Sequence, residues 1–89
     1  MGVNEMQQPL LTPVQLGRVL QAARKARKLS QAAVGARLDL SQKRISAMEL
    51  DPSTITVDQL LKLCAVLGLE LAVGLKGAAP AEGNAKVEW

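Results

Sequence analysis

Histidine, tyrosine and phenylalanine are absent from these 89 residues, and cysteine and tryptophan occur once each, at Cys64 and Trp89. With no histidine and one thiol lacking an obvious partner, the usual acid–base and nucleophilic groups cannot be assembled. The chain therefore does not read as an enzyme. No cluster has metal-ligand spacing, and no glycine-rich loop precedes a helix so as to hold phosphates. No metal, cofactor or small-molecule ligand is expected. One cysteine excludes an internal disulfide and suits a reducing cytoplasm. No apolar run approaches ~20 residues, so no membrane span is expected. The opening MGVNEMQQPLL lacks a basic stretch ahead of an apolar one, unlike a secretory signal. The length suits one small domain whose core is marginal for a monomer.

Charge is unevenly spread. The net charge is +3, yet residues 12–50 carry Arg18, Arg24, Lys25, Arg27, Lys28, Arg37, Lys43 and Arg44 against only Asp39 and Glu49. Residues 51–89 have three lysines against five carboxylates. A basic half suits phosphate binding, although a basic face alone is usually solvated surface.

Within that half, Ser30 to Glu49 (SQAAVGARLDLSQKRISAME) reads as two short helices around a tight turn. Val34 and Leu38 face one way with Gly35 beside them, and Ile45 and Met48 form the matching stripe. Leu40 plugs the turn, and Gly35 lets the second helix cross close by. Gln42, Lys43, Arg44, Ser46 and Ala47 are left facing outward, a set suited to base edges in a major groove. A plain helical hairpin with a basic surface is the bland alternative, but it does not explain the joint spacing of these apolar positions.

On these residues the stretch Leu16 to Leu67 resembles the helix-turn-helix of phage repressors and the wider Xre/Cro family. The resemblance implies an all-α domain of four to five helices that binds double-stranded DNA. Ser41, Gln42, Lys43, Ser46 and Ala47 would read bases. Gln31, Arg44, Arg27 and Lys28 would meet phosphates, and Arg24 would pair with Glu49 as a structural clamp. Asp39 stands where the family usually carries glycine, at a turn that needs a left-handed backbone; aspartate tolerates this better than most residues.

Residues 1–11 read as a flexible arm. Thr12-Pro13-Val14-Gln15 is a capping box with proline at the first helical position, opening a helix to about Arg27. The basic cluster at its end suits the helix dipole, phosphate contact, or both. Ser30 and Ser41 cap the next two helices, the second ending before Asp51-Pro52. Thr56-Val57-Asp58-Gln59 repeats the capping box and opens a helix closed by Gly68. The DNA-binding domain thus spans 12–68. Cys64 falls on the apolar face and reads as a core residue.

Leu69, Leu71, Val73 and Leu75 alternate with Glu70, Ala72 and Gly74 in the period of a strand, placed at 69–75. A lone strand leaves its edges unpaired, so pairing with a second copy across a two-fold axis is expected. An extended segment packed on its own core is the alternative. Residues 76–89 are small and polar and read as a flexible tail. Its final Trp89, with Val87 nearby, is accidental or an interface anchor.

Strand, tail and terminal Val-Glu-Trp narrow the resemblance to HipB-type antitoxins, partners of HipA serine/threonine-kinase toxins. That resemblance implies a cytoplasmic, nucleoid-associated homodimer that represses its own operon at an inverted repeat and binds the toxin. A stand-alone phage-type repressor, and a partner-inhibiting protein with vestigial DNA binding, are the alternatives.

Overall fold

The computed structural model describes residues 9–76. Among these residues four α-helices follow one another: α1 (Pro13–Ala26), α2 (Gln31–Leu38), α3 (Gln42–Leu50) and α4 (Val57–Leu67), with a 3-10 turn at Pro52–Thr54. Local chemistry accounts for their starts. The Thr12 hydroxyl accepts the Gln15 N–H, and the Gln15 side chain accepts the Thr12 N–H at 3.0 Å. Thr56 and Gln59 repeat the exchange at α4. Ser30 and Ser41 accept from Ala33 and Arg44. Each such cap contributes about 1 kcal/mol. At the far end of α4, Gly68 takes φ 73° and stops the helix.

Leu20, Val34, Ile45, Met48, Leu63 and Leu67 form the buried core, drawn from all four helices. Leu38, Leu40 and Leu69 close over it half-buried. Asp39 adopts φ 62°, ψ 40°, the left-handed conformation expected of the turn between α2 and α3. Lys28 is a second left-handed residue, at φ 57°, closing the α1–α2 connection. A side chain there loses roughly 1–2 kcal/mol relative to glycine.

Gly35 is required for a closer reason than helix crossing. A Cβ on it would collide with the Leu40 carbonyl oxygen and lie 3.2 Å from that of Ser41. The turn backbone itself, rather than the body of α3, occupies the space. Gly17 plays a matching role that the sequence pattern does not signal. It is buried where α1 meets the end of α3, and a Cβ on it would meet the Glu49 carbonyl oxygen and Pro52 Cγ. Gly17→Ala is expected to lower stability by about 1–3 kcal/mol through overpacking. Gly74→Ala, with nothing within 4 Å, should leave the thermal unfolding midpoint unchanged.

After Gly68 the chain runs extended. Leu69 packs on the core, whereas Leu71, Val73 and Leu75 are exposed. No strand is assigned at 69–75 in the single chain, and pairing there requires a second copy. Most of the arm at 1–11 and of the tail at 76–89, with Val87 and Trp89, lies outside the described residues.

Candidate DNA interface

Helix α3 divides its nine residues cleanly. Ile45 and Met48 are buried in the core, and Glu49 turns inward. Gln42, Lys43 and Ala47 are exposed, Ser46 is half-buried, and Ser41 stands exposed at the cap. These five base-reading candidates therefore share the outward side of α3 and its N-terminal end.

Their orientation is set by a chain of hydrogen bonds that begins inside the protein. Arg24 Nε donates to Glu49 Oε2 at 2.6 Å and Nη2 to Oε1 at 3.1 Å, while Nη1 donates to the Leu29 carbonyl at 3.0 Å. The side chains of the pair are 11% and 7% exposed. Hydrogen bonding to Glu49 raises the Arg24 pKa, outweighing the opposing effect of burial. Gln31 Nε2 then donates to Glu49 Oε1 at 3.0 Å, and Gln42 Nε2 donates to Gln31 Oε1 at 2.6 Å. A buried ion pair between α1 and α3 thus fixes the first residue of α2, which fixes the first of α3. Gln42 keeps one N–H and its Oε1 for other partners. One donor and one acceptor are what an adenine N7/N6 edge requires.

The four phosphate candidates are placed differently from one another. Gln31 spends its Oε1 and one N–H inside this chain of bonds, leaving one N–H. Arg44 turns toward Thr54 and Gln59, with contacts of 3.3–3.4 Å that tie α3 to the start of α4. The Arg27 guanidinium lies against Gly68, its atoms 3.0–3.1 Å from where a Cβ on that glycine would sit. The last turn of α4 carries no basic residue of its own, and Arg27 supplies positive charge to that helix end. Lys28 is exposed. Gln31 and Arg44 thus have hydrogen-bond partners within the chain, whereas Arg27 is exposed and only packs beside Gly68.

Beside α3 lies an open cleft of about 410 Å³, lined by Val14, Gly17, Arg18, Gln21, Gln31, Ser46, Glu49 and Leu50. Arg18 and Gln21 do not stand out in the sequence as site residues. Their spacing with Val14, at i, i+4 and i+7, was the available signal. Among the described residues no helix is long and apolar enough to cross a membrane, and no three His, Cys, Asp or Glu residues are grouped to hold a metal. Burial pushes the Cys64 thiol pKa up.

Removing a base contact is expected to cost about 1–3 kcal/mol and to relax preference at one base pair. Gln42→Ala and Lys43→Ala should each do so, measured by titration against a panel of single-base-pair variants of a bound duplex. Unchanged affinity and preference in both variants would displace the reading face from α3.

The solved structures that this chain resembles include a HipB–O1–O2 complex, at TM-score 0.69 and 22% identity, covering 76% of this chain and 99% of that one. A HipA–HipB–O2–O3 complex and a HipB–O4 20mer complex each match at TM-score 0.71 and 21% identity, over 79% of this chain and 99% of theirs. At such identities the likeness is one of fold. No curated protein sequence matches. A helix-turn-helix family model matches residues 20–73, from the middle of α1 to beyond α4. With that match over more than half its length, and α2, turn and α3 arranged as described, the chain belongs to the helix-turn-helix family of DNA-binding proteins.

Proposed function

We propose that the protein is a DNA-binding antitoxin that represses its own operon as a homodimer and neutralises a HipA-type serine/threonine kinase in the cytoplasm. The observation that carries the DNA half of this reading is the bonded series Arg24–Glu49–Gln31–Gln42, which holds the first residue of α3 ready for a base edge. The exposed Leu71, Val73 and Leu75 support the dimer, since pairing of two copies at 69–75 gives each chain a hydrogen-bonded neighbour along one edge and lessens the apolar exposure. The kinase partner is supported by the fold shared with HipB in its complex with HipA, and by the HipB-type pattern of strand and tail.

Toxin contact is assigned to the tail, with Trp89 as anchor and Val87 as neighbour. From residue 76 to residue 89 an extended chain spans at most ~3.3–3.6 Å per residue, enough to leave the DNA-reading face undisturbed. Ordering such a tail on binding is costly, so one large buried side chain must supply much of the gain. The test is a paired titration of the full chain and of a chain truncated before Val87, against a HipA-type kinase and against bound DNA. Truncation should weaken kinase binding and leave DNA binding unchanged. Equal kinase affinity and neutralisation would remove the tail from the interface, and no kinase binding by either chain would leave a stand-alone repressor.

A further inference from the structure

Leu50, the last residue of α3, is 82% exposed. A lone exposed leucine is common on protein surfaces and by itself means little. Its register is what matters. Seven positions separate it from Lys43, so it lies within about 20° of that residue around the helix axis. Ala47, four positions after Lys43, lies between them on the same exposed side. Lys43, Ala47 and Leu50 therefore form one outward stripe, polar at the end that enters first and apolar at the other.

We propose that Leu50 is a further specificity-determining residue of the DNA-binding surface, its side chain meeting the 5-methyl group of a thymine. Thymine is the base that offers an apolar group in the major groove, and aliphatic side chains are its natural partners. Lys43 and Leu50 are separated by about 10.5 Å along the axis, from a rise of about 1.5 Å per residue. That distance corresponds to about three base steps at about 3.4 Å each. The thymine accordingly lies about three base pairs from the one Lys43 reads. On its other side Leu50 borders the cleft lined also by Val14, Arg18 and Gln21, and the last two are donors suited to the phosphates flanking that base.

This inference rests on the DNA-binding reading, and the test separates the two. A duplex is first selected from a randomised pool with the wild-type chain. Each thymine of that duplex is then replaced singly by uracil, which removes the methyl group alone. One replacement per half-site should weaken wild-type binding by about threefold to fivefold, the effect of losing one buried methyl group. At that position Leu50→Ala should bind the thymine and uracil duplexes equally, while Leu50→Met, which keeps an apolar reach, should retain discrimination. If no thymine shows a uracil penalty that depends on residue 50, the assignment is overturned. Loss of kinase binding in Leu50→Ala with all uracil penalties unchanged overturns it too, by giving Leu50 a protein partner. A pool that yields no enriched duplex overturns the DNA-binding reading along with it.

Discussion

Glu49→Ala is expected to cost about 3–5 kcal/mol of folding stability, since removing one partner of a buried pair leaves the other charge uncompensated. The Arg24 guanidinium would keep only the Leu29 carbonyl among its present acceptors. For a domain of typical marginal stability that is a large share of the total. Glu49→Gln should cost less, because the amide oxygen still accepts one bond from Arg24. A double-mutant cycle with Arg24→Ala isolates the pair: the double variant should be more stable than the sum of the two losses implies. Denaturant melts of the four proteins provide the measurement. Additive losses would mean that the two side chains do not act together.

The same substitution bears on reading. With Glu49 gone, Gln31 loses the acceptor for its Nε2 N–H, and Gln42 loses its fixed neighbour in turn. At temperatures where Glu49→Ala remains folded, base preference at the Gln42 position should weaken more than total DNA affinity. Phosphate attraction is independent of that side chain.

Val73→Pro carries the second large effect. Val73 is 81% exposed in the single chain, so the change leaves the core of one copy untouched. Proline removes a backbone donor from the shared sheet proposed at 69–75. Sedimentation should show monomer, and affinity for an inverted repeat should fall by about a hundredfold or more as linkage between two reading heads is lost. The thermal midpoint of the dilute monomer should barely move. A variant that stayed a tight dimer would shift the interface to the exposed side of α4, where Val57 and Leu61 are uncovered.

What the amino-acid order reveals here is mostly local. Thr12 with Gln15, Thr56 with Gln59, and serines at positions 30 and 41 announce helix starts within four residues of the groups they satisfy. Asp39 signals its left-handed turn by residue type alone. Contacts that join distant segments are another matter. Gly17 sits in an amphipathic helix with no local sign that Glu49 and Pro52 press on it. Arg27 reads as a phosphate candidate, and nothing near it in sequence points to its packing beside Gly68. Gln31 is a phosphate candidate through the family resemblance, and its two side-chain partners lie 11 and 18 residues away. Leu50 reads as a helix terminus until α3 is built and its register with Lys43 becomes visible. The fold is thus written in caps and periodicity, while the use of individual polar side chains depends on tertiary neighbours.

The central claim is that two copies of α3 read a symmetric site. Selection of the full chain against a randomised duplex pool tests it directly, followed by sedimentation of the complex. The enriched sequence should be an inverted repeat with half-sites about 34–36 Å apart, or a multiple of that, bound by two chains per duplex. Enrichment of a site without symmetry, bound at full affinity by a single chain, would contradict the account.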